Sequence, residues 1–176
     1  MRLAFVLVAA CVLAPLAAQA QEAMPAAPAA CPATPAPLPA GPEAWATPAP
    51  LTAAKTPAYT SDAKLKIGQA FDAALPGTSE ITYALRPEKP GGSVSYGGLF
   101  SVDVTKAGTY TIALSTGAWI DVVRDGKSLP STAHGHGPAC TTLRKMVAFP
   151  LEPGRYVIQI AASGEPKIAI MVAERR

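Results

Sequence analysis

The stretch Ser131 to Cys140, "STAHGHGPAC", holds both histidines of the chain and one of its three cysteines. In an extended segment, positions i and i+2 point to one side, so the imidazoles of His134 and His136 can reach a single ion. Such a pair suits zinc, copper or iron, and a thiolate at Cys140 would favour zinc or copper. A carboxylate for the set would come from Asp121 or Asp125, with Asp121 the first choice. The spacing H-x-H-x3-C lacks the paired C-x-x-C or H-x3-H of a strong metal motif, so an exposed glycine-rich loop is the competing reading. Other chemistries have less to stand on. Ser131 and Thr132 precede His134, but nucleophilic catalysis needs a base beside the nucleophile and a third group to orient it. The G-x-S-x-G elbow is absent, and Asp103, Asp121 and Asp125 are too scattered to propose paired carboxylates. The glycines of "PEKPGGSVSYGG" lack the Lys-Ser/Thr ending of a phosphate loop and read as tight turns. Trp119 shares a strand face with Asp121 and reads either as core or as a sugar-stacking platform. Together with Asp125 it marks the expected binding edge. Arg144 and Lys145 read as a solvated edge that discourages strand-to-strand association.

Whether Cys140 is free depends on the chain's address. "MRLAFVLVAACVLAPLAAQAQEA" has a positive n-region at Arg2, an apolar run from Leu3 to Leu16 and an A-x-A site at Ala18–Ala20, the parts of a secretory signal cleaved after Ala20. The apolar run is short for a bilayer span of roughly 20 residues. Val8 to Cys11 also resembles a lipobox, but acylation at Cys11 would leave an h-region too short for export. Export to the periplasm or beyond leaves Cys31 and Cys140 as the two remaining cysteines, in an oxidising compartment where one bridge between them is expected. A disulfide would remove Cys140 as thiolate ligand or nucleophile.

The elements that must position these groups begin late. Residues 21–60 are dominated by alanine and proline, which block helix and break strand ladders. They read as a tail, tethered to the domain if Cys31 is bridged, with Trp45 then available to cover an open face. From 61 to 176, period-two alternation recurs: Leu65, Ile67 and Phe71; Ile81, Tyr83 and Leu85; Phe100, Val102 and Val104; Tyr110, Ile112 and Leu114. It continues in "AWIDVV", whose "RDGK" is a hairpin turn, then in Val147, Phe149 and Leu151, in Tyr156, Ile158 and Ile160, and in Ile168, Ile170 and Val172. No amphipathic helical stripe interrupts them. About eight short strands predict one all-β domain, an antiparallel β-sandwich or jelly roll, with no helices for parallel crossovers. The charge balance, 15 Lys and Arg against 12 Asp and Glu, is spread along the chain without basic runs, which excludes nucleic acid as an expected partner.

Two sets of motifs carry a resemblance. "FSVDVTKAGTYTIAL" followed by "FPLEPGRYVIQI" resembles the pre-peptidase C-terminal-type β-sandwich of secreted bacterial proteins, over roughly residues 95 to 173. The series "YALRPEKPGGSVSYGG", "GAWIDVVRDGK", "STAHGHGPAC" and "RKMVAFPLEPGRY" resembles a group of small exported proteobacterial proteins with an AHGHGP-x-C motif. Members of that group are sometimes labelled homogentisate 1,2-dioxygenase, which implies iron held by two histidines and a carboxylate. Here that use would consume both histidines and leave neither for acid–base work on a substrate. The sequence therefore reads first as an exported, non-catalytic binding or accessory protein for a small molecule, glycan or protein. It reads second as a periplasmic transition-metal-binding protein using His134 and His136, and third as a small metal-dependent oxygenase.

Overall fold

Six segments of strict alternation become six long strands, and their apolar faces meet in one core. The computed structural model describes Cys31 and residues 43–175; the signal segment 1–20, Cys11 and the rest of the tail to residue 42 lie outside the described residues. The long strands are β4 (Tyr96–Val104), β5 (Gly108–Leu114), β6 (Trp119–Arg124), β9 (Lys145–Leu151), β10 (Gly154–Ser163) and β11 (Lys167–Glu174). Shorter strands complete the edges: β1 (Ala49–Thr52), β2 (Lys64–Leu65), β3 (Ala70–Ala74), β7 (Lys127–Ser128) and β8 (Ala133–Gly135). One sheet has the order β1-β3-β11-β5-β9-β8 and the other β2-β4-β10-β6-β7. Between them lie Ile112, Leu114, Phe149 and Ile170 from the first and Phe100, Val102, Val122 and Ile158 from the second, all buried. The architecture is the all-β sandwich that the alternation predicts.

Three local features differ from the expectation. The segment from Leu65 to Phe71 is two strands in different sheets, because Gly68 takes φ +82° and turns the chain. The segment Ile81 to Leu85 is no strand. Its amides at Ala84 and Leu85 donate to the side-chain Oε1 of Gln159, at 3.0 and 3.2 Å, instead of to a neighbouring backbone. Two pairings, β1 with β3 and β2 with β4, are parallel. Parallel pairing needs a long crossover but not a helix; here the crossovers run through the opposite sheet.

Two turns show why the recurrent "AG-T-Y" and "L-PG-Y" motifs exist. Tyr110 donates its hydroxyl to the carbonyl of Lys106 at 2.7 Å, and Tyr156 donates to that of Glu152, also at 2.7 Å. Both are tyrosine corners, in which a buried ring pins the backbone a few residues upstream. Tyr156 Oη also accepts from the Glu152 amide at 3.0 Å and from Arg124 Nη1 at 2.9 Å, so its hydrogen-bonding capacity is full.

Packing starts before residue 61. β1 joins the first sheet, and Trp45, in a 3-10 turn spanning Glu43–Ala46, is 4% exposed. The indole lies on the outer face of the six-stranded sheet with Ala70, Met171 and Ala113, a single cross-strand row, and with Leu143. Two alanines in that row leave space for the ring. Its Nε1–H donates to Thr142 Oγ1 at 2.9 Å. Two residues earlier in sequence, Cys140 is bonded to Cys31 with a Cα–Cα distance of 5.2 Å. Alanine-proline composition hides this because it describes backbone preference, whereas one tryptophan and one cysteine decide where the segment docks. Disulfides of this kind persist in oxidising compartments. Among the described residues no helix is long and apolar enough to cross a membrane.

Candidate functional site

Alternation along β6 turns Ile120 and Val122 into the core and Trp119 and Asp121 outward. Across the ladder, Asp121 stands opposite Gln159 of β10. Asp121 Oδ1 accepts from Trp119 Nε1–H at 3.0 Å, and Oδ2 accepts from Gln159 Nε2 at 3.1 Å. Gln159 is fully buried, and its Nε2 also donates to the carbonyl of Leu85 at 3.0 Å. One buried amide thus ties the Ala84–Leu85 backbone, the aspartate and, through it, the indole.

Two lysines complete the arrangement. Lys89, four residues beyond the pinned Leu85, has its ammonium 5.3 Å from the centroid of the Trp119 ring. Lys145, the first residue of β9, approaches to 5.6 Å and donates to the carbonyl of Ala118 at 2.7 Å. An ammonium over an indole is attracted by the ring's quadrupole. Burial, and next the charge of Lys89, lower the Lys145 pKa below the ordinary lysine value. Lys145 therefore spans from one sheet to the other and is half-buried, not the solvated edge that its place beside Arg144 suggests.

These groups line a cleft of about 590 Å³ at the side of the sandwich where the chain passes from β7 to β8. Its apolar wall comes from Ile120, Leu129, Pro130, Val147 and Phe149, and its polar wall from Trp119, Asp121, Lys89, Lys145 and His134. Another cleft of about 630 Å³ runs along β1, where Asp72 and Lys167 neutralise each other at 2.6 Å.

The expected site residues separate. Trp119, Asp121 and His134 share the cleft. His136 lies beyond β8, where its Nδ1 is 3.2 Å from the carbonyl oxygen of Arg144. Among the described residues no group of three or more His, Cys, Asp or Glu side chains is placed to hold a metal. The expected His134–His136–Asp121 set is not among such groups; Asp121 and His134 line the cleft, and Asp121 accepts from Trp119 and Gln159. Cys140 is spent in the disulfide. Asp125 does not line the cleft; it is the first residue of the β6–β7 turn, at φ 51° with Gly126 at 70°, and its side chain is 90% exposed beside Arg124. An Asp-Gly pair with two positive φ values is what such a two-residue hairpin requires. The residues that sequence reasoning missed are Gln159, Lys89 and Lys145. Gln159 had one signal, a glutamine amid the apolar run "YVIQIAA".

No family model matches the chain, and no curated protein matches it in sequence.

Proposed function

We propose that this chain is an exported binding or accessory module whose ligand seat is the cleft at Trp119. The observation that carries the reading is the indole held on its edge by Asp121 and faced by the ammonium groups of Lys89 and Lys145, at the rim of a partly apolar cleft. Small-molecule sites are concave, mostly apolar and furnished with a few convergent polar groups, commonly over roughly 300–1,000 Å³. Binding rather than catalysis is favoured because the polar groups there hold one another. Asp121 is bonded to Trp119 and Gln159, and Lys145 to Ala118. The Cys31–Cys140 bond supports an exported address, consistent with cleavage after Ala20.

The test is a ligand-detected screen of small neutral and charged compounds against the disulfide-intact protein and against Trp119→Leu. Compounds that bind the parent and are lost from the variant support the reading. A set of hits indifferent to Trp119 would move the binding surface elsewhere.

A further inference from the structure

Within the binding reading above, on which it rests, we infer that the cleft takes a small organic carboxylate, its anionic head between Lys89 and Lys145 and its apolar body along Leu129 and Pro130. The first argument is charge. Lys55, Lys64, Lys106, Arg155 and Lys167 each meet a carboxylate within 3.3 Å. Lys89 and Lys145, like Lys66, Lys127 and Arg144, form no ion pair among the described residues, and these two differ from the others in converging on one indole. Each ammonium disfavours the charge of the other, and an anion near both would favour both charged forms. Two carboxylates also line the cleft, Asp121, which keeps its charge while accepting from Trp119 and Gln159, and the exposed Glu88, but neither forms an ion pair with Lys89 or Lys145.

The second argument is donor count. An ammonium has three N–H donors. One of those on Lys145 goes to Ala118, which leaves two to turn toward the cleft. Half-burial of Lys145 strengthens any hydrogen bond it makes to an anion. The third argument is the other wall. Ile120, Leu129, Pro130, Val147 and Phe149 offer nothing to a second charge and suit an aromatic or aliphatic body. A monoanion with an apolar tail fits both walls and brings only one negative charge past Glu88 and Asp121, whereas a compact, multiply charged oxyanion fits one wall and is repelled more strongly by them.

The experiment follows the amide and indole N–H resonances of the 15N-labelled, disulfide-intact protein during titration with benzoate, octanoate, benzamide and inorganic phosphate. The same titrations are run on Lys89→Gln and Lys145→Gln, whose side chains are one atom shorter than lysine and remove the charge while keeping N–H donors. Thermal melts confirm that both variants stay folded. Benzoate and octanoate are expected to shift the Trp119 indole saturably, with benzamide about tenfold weaker and each lysine variant weakened about tenfold toward the carboxylates. Added salt should weaken the carboxylates and spare benzamide. If benzamide matches benzoate and the lysine variants change nothing, the ligand class is wrong while the binding cleft stands. Phosphate binding as tightly as the carboxylates also overturns the class. If none of the four probes moves a cleft resonance, the carboxylate class is overturned, and the binding reading is decided separately by the screen against Trp119→Leu.

Discussion

Replacing Trp45 by alanine asks whether an alanine- and proline-rich segment is structural. The ring is almost fully buried on the outer face of the six-stranded sheet, and truncating a buried tryptophan typically costs about 3–5 kcal/mol. The lost bond to Thr142 adds little, since that hydroxyl is exposed and water can replace the indole. Against this stands the entropy of ordering the turn Glu43–Ala46, about 1–2 kcal/mol for each of its four residues. Docking of the turn alone therefore falls short of its ordering cost. What tips it is restraint from both sides: β1 begins at Ala49, and Cys31 is bonded to Cys140, beside Thr142. The bridge spans a sequence separation of 109, and closing a loop of that length is worth about 5 kcal/mol in the chain-entropy model. Urea unfolding of four proteins measures the coupling: parent, Trp45→Ala, Cys31→Ser/Cys140→Ser and the combination. Trp45→Ala should cost about 3–5 kcal/mol in the bridged protein and clearly less without the bridge, where the turn already frays. Equal costs in the two backgrounds, within about 0.5 kcal/mol, would show independent sites and refute the restraint argument.

Three further outcomes follow from single contacts. Gln159→Leu keeps the volume but strands the Ala84 and Leu85 amides, the Leu85 carbonyl and one oxygen of Asp121; about 2–4 kcal/mol should be lost, with faster amide exchange at residues 84 and 85, and unchanged exchange there would sink the pinning role. Tyr156→Phe removes three hydrogen bonds and Tyr110→Phe one, so the first should cost about 2–3 kcal/mol and the second about 1 by chemical denaturation; the reverse order contradicts the corner geometry. Hydrogen bonds from Arg155, then Lys64, hold the Asp103 carboxyl down to about 2. Because the folded value is depressed, its contribution is complete above the unfolded value of about 3.9 and is lost as pH falls from there toward 2. Exposure and screening keep it to about 1 kcal/mol or less, so Asp103→Asn should narrow its stability gap from the parent between pH 5 and pH 2 in paired thermal melts, and a constant gap would count against the ion pairs.

The readable parts of this chain are those where one local rule decides. Period-two alternation over six or more residues marks β4, β5, β6, β9, β10 and β11, because a strand with one buried face has no other way to sort its side chains. Asp125-Gly126 marks its turn for the same kind of reason, and the pair of cysteines beyond the apolar N-terminal stretch marks the disulfide. The rest depends on what covers an outward face. Gln159 and Asp121 occupy solvent-side positions by alternation, and only the return of residues 81–85 across that face buries the glutamine. Ile81 and Tyr83 pack against the core, and Ala84 does too, so this irregular segment settles on the sheet without pairing and its alternation is not a strand's. Lys145 looks like edge protection until the opposite sheet supplies Trp119 and Ala118.

The same covering segment explains why the cleft is organised around Trp119 and not around the two histidines. Among the described residues exposed β8 is an edge strand paired with β9 alone, and His136 already lies past the strand's end. Trp119 is fixed at three levels: its backbone pairs with Ala161, its Nε1–H is held by Asp121, and Asp121 is held by Gln159. Gln159 in turn grips the backbone from which the chain runs four residues to Lys89. Rigid support from beneath lowers the entropy lost when a ligand settles. A binding site is therefore expected where the support converges, at the indole and its two lysines, with His134 as an adaptable wall.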